Sequence, residues 1–367
     1  MKKTALIFAL ILIASTFLFA RGNKTAKDST DKKIDYAFIP MLSYNNSFGG
    51  QIGFMANGFF DINKADTISP GSMVGVFGSY FTNNTFFTGI INRNYFAEDK
   101  WRTKSVMVYG NIEFQTYLDL PGCIPPITAL DDNGLFVDYN TKIALVYFSG
   151  IRQIIKHWYG GLQVLFTKTV TDFSTGEIPI PTETENLFGF GLVTEYDNRD
   201  NVMNPYFGMN AKLSTTSYLE SFGSSSQYHR IKIEMNKYFH LNSKSVIMGR
   251  IYGIASMGDV PFSGRNVVGR DDMRGYSNGR YRANQVYNIQ TEYRWNFYKK
   301  WGMVAFGGLG VATDDFKGEN YSGVLPAIGT GIRFKAIKKR NINIGVDVAK
   351  GKNDWGLYFR IGEAFTM

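Results

Sequence analysis

Between Gln285 and Trp295 the chain reads QVYNIQTEYRW. Laid out as a strand, Tyr287, Ile289, Thr291, Tyr293 and Trp295 share one face, and Asn288, Gln290, Glu292 and Arg294 share the other. The same two-residue period returns in INIGVDVAK, where Ile342, Ile344, Val346 and Val348 oppose Asn343, Gly345 and Asp347. It returns again in QYHRIKIEMN, where Ile231, Ile233 and Met235 oppose Arg230, Lys232, Glu234 and Asn236. A soluble sheet hides its apolar face and wets its polar one, with shorter strands. Here full charges sit in mid-strand, the apolar face is uniform, and few helical stretches intervene to cover a second face. Strands of about ten residues patterned this way belong to a transmembrane barrel, with lipid outside and a polar lumen inside.

Turn chemistry divides the chain into sixteen such segments: 37–44, 49–62, 73–81, 85–96, 104–114, 138–153, 158–168, 186–196, 207–217, 227–240, 245–256, 285–296, 301–312, 327–335, 342–350 and 355–365. An even count suits antiparallel closure. Every second connection is compact and often basic, as at 241–244 (LNSK), 297–300 (FYKK) and 336–341 (AIKKRN). The long connections, 115–137, 169–185, 218–226, 257–284 and 313–326, fall in the alternate positions. Short periplasmic turns and long external loops predict that asymmetry. With a periplasmic amino terminus, the arginine-rich stretch 257–284 is the sixth external loop.

Lys2 and Lys3 precede an apolar run from Ala5 to Phe19 and the small residue Ala20, so residues 1–20 read as a secretory signal peptide. Residues 21–36 are polar and charged and are expected to form a short disordered periplasmic segment; 37–367 are then the barrel. No later run is apolar over the length of a transmembrane helix. Thirty Phe, 22 Tyr and 39 Gly favour strands, interfacial rings and tight turns. The single cysteine, Cys123, forms no internal disulfide and does not follow the leader as a lipoprotein cysteine would. The mature chain stays basic, which suits either the anionic headgroups of outer-membrane lipid and lipopolysaccharide or lysines solvated on turns. No nucleic-acid partner is expected.

The loop and the strand after it resemble the outer-membrane protein 85 superfamily, also called bacterial surface antigens, which includes the central subunit of the barrel assembly machinery and the two-partner secretion transporters. MRGY, Met273–Tyr276, resembles the tip signature of that family's sixth loop and is followed by GRYR, 279–282. YDNRDNVMNPYFG, 196–208, resembles its aspartate-arginine-aspartate turn, while FGGLG and the terminal YFRIGEAF resemble its last-strand patterns. Two departures stand out. Gly308 occupies the place where many relatives carry an aspartate that receives the loop arginine, and Phe365 is followed by two further residues. The resemblance also implies periplasmic POTRA domains that collect client chains. About 15 residues between the leader and the first strand leave no room for them.

The resemblance makes Arg274 the tip arginine, which enters the lumen and must be paired there. Glu292, on the polar face of the next strand, is the expected partner, in a contact that can be bidentate. Gly275 gives the backbone freedom to turn and Tyr276 offers a wedge, with Arg280 and Arg282 beside them. Gly308 and Gly310 either clear the wall for the loop or relieve sheet curvature. The closing seam is the second candidate, through Pro40 in the first strand and Gly356, Gly362 and Phe365 in the last. Pro40 cannot donate to a ladder, so it belongs at an edge or at a frayed rim.

These residues fit a barrel that assists assembly, insertion or translocation of proteins or lipids at the outer membrane with a separate periplasmic or membrane protein partner. A passive or gated channel, with Arg230, Lys232, Arg250 and Arg333 favouring anions, is the alternative, as is a structural subunit of a larger complex. An enzyme is not expected. There is no G-x-S-x-G, and His157, His229 and His240, at strand rims or on an apolar face, have no convincing serine or aspartate partners in the sequence. Neither a metal nor another cofactor is implied.

Overall fold

The computed structural model describes residues 34–45, 49–118, 135–174, 182–269, 272–276, 281–318, 321–338 and 340–365. The expected leader and Cys123 lie outside them. Sixteen long strands are present: β1 (Asp35–Asn45), β2 (Gly49–Phe60), β3 (Ser72–Phe81), β4 (Phe86–Phe96), β5 (Trp101–Leu118), β6 (Leu135–Ile155), β7 (Trp158–Ser174), β8 (Glu183–Asp197), β9 (Gly208–Tyr218), β10 (Tyr228–Asn242), β11 (Ser245–Gly258), β14 (Gln285–Tyr298), β15 (Trp301–Thr313), β16 (Leu325–Ile337), β17 (Ile342–Gly351) and β18 (Asp354–Ile361). The two-residue strands β12 (Asn266–Val267) and β13 (Arg282–Ala283) pair with each other inside the long loop between β11 and β14. Each long strand pairs antiparallel with its chain neighbours, and β18 meets β1 to close the barrel.

All sixteen expected segments form strands, because each must show one face to lipid and one to the lumen, and a slip of one residue would reverse both. The ends differ from expectation where strands run past the membrane. β5 and β6 stay in register from Trp101 opposite Arg152 to Leu118 opposite Leu135, so the connection expected at 115–137 shrinks to 119–134. β7 and β8 shorten the connection at 169–185 in the same way. β18 is shorter than expected and stops at Ile361.

In β14 the alternation is complete. Ile289, Tyr293 and Trp295 face outward and exposed, while Asn288, Gln290, Glu292 and Arg294 are buried inside. Leu162, Leu192, Ile233, Ile251, Ile328 and Ile332 are likewise exposed on the outer wall. In water so wide an apolar belt would drive association; against acyl chains it is the surface the barrel needs. Rings gather at one rim, with Trp158 against Tyr196 at 5.1 Å between centroids, Trp301 against Phe334 at 5.0 Å and Trp295 against Phe297 at 5.8 Å. All three pairs lie at the compact-turn end, as an interfacial aromatic girdle requires.

The lumen is packed near both mouths. Near one mouth Tyr252, Val268, Met273, Tyr276, Val286 and Leu325 form an apolar cluster joining the long loop to the wall. Near the other, Ala37, Phe59, Met73, Ile342 and Ile361 form a second. Polar groups occupy the space between.

Candidate functional site

Arg274 lies at the centre of that polar layer, 5% exposed. Its position is set by the turn that carries it. Gly275 has φ +100°, and a Cβ there would come within 2.9 Å of the Lys350 carbonyl carbon, so only glycine fits. The Gly275 N–H donates to Tyr358 Oη at 2.8 Å, and Tyr276 Oη donates to the Pro326 carbonyl at 2.6 Å and accepts from the Lys352 N–H at 3.1 Å. On the near side, Asp272 accepts from Asn288 Nδ2 at 2.9 Å and from the Gly269 N–H at 2.8 Å, while its carbonyl accepts from Gln290 Nε2. The tip is therefore bonded to β14, β16, β18 and the β17–β18 turn.

The guanidinium bridges two fully buried carboxylates. Nη2 donates to Glu292 Oε2 and Nη1 to Asp347 Oδ2, each at 2.6 Å. Its Cζ lies 3.3 Å from the centroid of the Phe306 ring, which supports the plane from below. Glu292 also accepts from Arg294 Nε at 2.8 Å. Asp347 also accepts from Arg333 Nη1, and Arg333 Nε donates to Glu363 Oε2 at 2.8 Å. Each carboxylate thus carries more than one charge-assisted bond, the condition under which burying such ions is tolerable.

The expected partner Glu292 is in place, but the contact is single rather than bidentate, because the second nitrogen of Arg274 is taken by Asp347. The sequence reading leaves Asp347 as one polar-face residue among several. It is the one acid in β17, on the lumen side of four apolar neighbours, and that isolation is the signal that could have marked it. Gly308 receives no arginine. A Cβ there would strike Gln290 Cγ at 2.5 Å, so its bareness admits the glutamine that holds the loop. Gly310 makes room for Met273, whose Cε a Cβ would meet at 2.9 Å. Arg282 points elsewhere, donating to the Phe262 carbonyl and to Tyr139 Oη, both at 3.0 Å, and so ties the loop to β6. Arg280 lies outside the described residues.

The carboxyl-terminal residues correct one expectation. Gly362 and Phe365 do not belong to the seam: the chain turns at Gly362, φ +83°, and enters the lumen. Phe365 lies 4.2 Å from the Arg250 guanidinium and 5.4 Å from that of Arg274, and Glu363 joins the ion network. A strand continuing to 365 would have put the Glu363 carboxylate on the ladder instead of beside Arg333.

The turn at 198–207 forms the floor. Asp197 pairs with Arg199 at 2.7 Å, and Asp200 Oδ1 accepts from the N–H groups of Tyr206 and Phe207 at 2.9 and 3.3 Å. Burial alone would lower the pKa of Arg199, but Asp197 outweighs it and raises it above the usual arginine value. From this turn Tyr206 Oη accepts from Asn296, the Pro205 carbonyl from Arg294 and the Met203 carbonyl from the Glu363 N–H. Sequence reasoning marked this motif without giving it a place. It missed the adjoining cluster, where Arg102 donates to Asp99, Glu195 and Asp197 at 2.6, 3.1 and 2.7 Å.

The seam itself is thin. Among the described residues β1 and β18 share a single ladder partnership, Asn45 with Gly356, whereas β1 is paired with β2 along its whole length. Beside it, on the outer wall, an apolar hollow of 510 Å³ is lined by Pro40, Ile332, Phe334, Ile344, Val346 and Phe359.

The barrel, the loop tip and the turn at 198–207 define an outer-membrane-type barrel with an inserted loop. A family model described as the Omp85 superfamily domain matches residues 94–365, and the chain belongs to that superfamily. Among solved structures it is similar to BamA from Haemophilus ducreyi lacking POTRA domains 1-3, at 14% identity and TM-score 0.56 over 90% of this chain and 70% of that one. It is also similar to CdiB from Acinetobacter baumannii, at 12% identity and TM-score 0.54 over 90% of this chain and 60% of that one. CdiB from Escherichia coli gives 11% identity and TM-score 0.54 over 88% and 62%. The chain spans less than two thirds of either CdiB. At these identities the likeness is one of fold. Comparison with curated proteins gives no match.

Proposed function

We propose that this protein is an integral outer-membrane barrel, exported by a signal peptide, that assists the assembly, insertion or translocation of proteins or lipids at that membrane. It works by opening between β1 and β18 and performs no covalent chemistry. A separate periplasmic or membrane protein delivers the client, and outer-membrane lipid and lipopolysaccharide surround the wall. The observation that carries this reading is the seam. One ladder partnership is a far smaller barrier to lateral opening than the continuous ladders elsewhere, and the apolar hollow beside it offers a client segment a lipid-like surface. The passive channel is disfavoured by the loop tip and the floor turn, which fill the lumen where conduction would pass.

A reversible lock tests it. Cysteines replacing Asn45 and Gly356, directly opposed in register, with Cys123→Ser to remove the native thiol, can form a cross-strand disulfide. Complementation of a deletion strain should fail when the pair is oxidised and return on reduction. Full activity with the seam locked would exclude lateral opening.

A further inference from the structure

The lumen holds a second charged assembly, beside the Arg274 network and meeting it at Arg360. On adjacent strands Arg93 of β4 and Lys104 of β5 are direct ladder partners, both turned inward. Like charges placed opposite one another repel, and the partner of Lys104 on its other side is Ser149, which brings no negative charge. Across the lumen stand Lys212, Lys232 and Arg250. The carboxylate among them is Glu234, already engaged by Lys232 at 3.2 Å and by Arg250 at 3.1 Å. Glu195, at the edge of the same space, is taken by Arg102, and Asp272 is held by Asn288 and the Gly269 N–H. Lys212 stands between its ladder partners Glu195 and Glu234, whereas Arg93 and Lys104 have no ion-pair partner among the described residues.

Two observations set this cluster apart from a solvated face. The Nε atoms of Arg93 and Arg250 are buried and have no hydrogen-bond partner, and Arg360 Nε lies 2.9 Å from Asp347 Oδ2 without aligning its N–H on it. Buried guanidinium donors left unmade are costly, and an anion held by these side chains would offset part of that cost. The side chains also line space: a chamber of 340 Å³ is bounded by Lys104, Lys232, Arg250, Arg360 and the loop tip, and a smaller one of 110 Å³ adjoins it beside Arg93 and Lys212. Phe365 borders both.

We propose that this chamber is a binding site for a small phosphate-bearing anion, of the size of pyrophosphate or a short organic phosphate. Several cations converging from different strands match a multiply charged tetrahedral group better than a single carboxylate, and arginine forks suit its oxygens. The loop tip above and the turn at 198–207 below leave a compartment suited to a small ion rather than to an acyl chain or a polypeptide. Bound there, the anion neutralises the repulsion between β4 and β5 and joins the β4–β5 wall to β10, β11 and β18.

The test uses the whole mature chain folded in detergent micelles, with pyrophosphate, inorganic phosphate and, at matched ionic strength, chloride. Pyrophosphate should raise the temperature at which the barrel loses its fast-migrating folded form on gels, and calorimetric titration should show saturable binding. The double substitution Arg93→Met and Lys104→Met should weaken that binding by ~10-fold or more, while Lys244→Met in the β10–β11 turn should leave it unchanged. Without any phosphate, Lys104→Met alone should raise the melting temperature, because it relieves the repulsion with Arg93. That second measurement holds even if the double variant folds poorly. Equal protection of wild type and double variant, or protection no greater than that by chloride, would overturn the site. So would a Lys104→Met barrel that melts earlier than wild type. Protection by a phosphorylated lipid headgroup or an acidic peptide, with free pyrophosphate inert, would overturn the assignment to a small anion.

Discussion

Arg274 shows how one side chain can fasten a loop to a barrel. Replaced by alanine, it leaves Glu292 and Asp347 fully buried with one fewer cation between them, and the ring of Phe306 uncovered. Removing one partner of a buried pair costs roughly 3–5 kcal/mol. Arg294, Arg333 and Arg360 remain to share the carboxylates, so about 3 kcal/mol is expected. Arg274→Lys should recover little, since a single ammonium cannot span two carboxylates and lie flat on the ring. Arg282→Ala removes bonds to the Phe262 carbonyl and the Tyr139 phenol and the guanidinium 4.2 Å from the Phe262 ring, and a smaller loss of about 1–2 kcal/mol is expected. Urea unfolding in micelles checks the order, and equal losses for the two alanines would contradict the central place given to Arg274. A different residue carries the pH dependence at the rim. Asp66, in the turn between β2 and β3, is pushed up by partial burial. Bonds from Ser69 Oγ and from the N–H groups of Ser69, Ile68 and Glu98 outweigh that and hold it at about 2, below the ordinary aspartate value of 3.8. A depressed carboxyl stabilises the fold at pH values above 3.8, and that contribution disappears as the pH falls through 2. Carbon-13 NMR of the Asp66 carboxyl should find the low midpoint, and Asp66→Asn should release the Glu98 amide to exchange at neutral pH. A midpoint at 3.8 would mean that the turn does not hold the carboxylate.

Loops and turns, more than strands, decide what this barrel can pass. The long loop enters from one end and the turn at 198–207 closes the other, and the ion network joins them through Glu292, Arg294 and the Pro205 carbonyl. Gly275 is where this arrangement can be loosened with the least chemistry. Alanine at φ +100° is strained, and its methyl would meet the backbone at Lys350 and Gly351, so the loop tip must withdraw from the wall. Gly275→Ala should therefore raise the single-channel conductance of the barrel in planar bilayers several-fold over wild type while the barrel stays folded. Unchanged conductance would mean that the tip does not obstruct the path. At this scale the sequence was legible where one residue type has one use: Gly275, Tyr276 and Glu292 could all be marked from the motif and its strand. It was silent on Asp347, which meets Arg274 across 73 positions of chain, and on the inward turn of Glu363 and Phe365, because such pairings depend on barrel closure and not on local pattern.

Closure is what the alternating pattern compels, and the whole molecule follows from it. Lipid cannot hydrogen-bond a backbone, so a sheet whose outer face is Ile, Leu and aromatic rings must eliminate its edges by joining first strand to last. That reasoning located sixteen strands and their faces from sequence. It does not say how well the last joint is made, since that depends on the register between segments some three hundred residues apart. Pro40 hinted at weakness, and β18 ending at Ile361 increases it by leaving less strand to pair. The consequence is an uneven wall. β5 and β6 are zipped along their full length, while among the described residues β1 and β18 share the one ladder partnership of Asn45 with Gly356. Backbone amides along the facing edges of β1 and β18 should then exchange with deuterium well before those of β5, β6 and β7 in a nanodisc-embedded barrel, by a factor of ~100 or more for each 3 kcal/mol of local stability they lack. Adding the oxidised Asn45 to Gly356 cross-link should slow the seam amides while leaving β5 and β6 as they were. Uniform protection around the circumference would mean that the wall has no preferred opening, and lateral release of a client would then have to begin elsewhere.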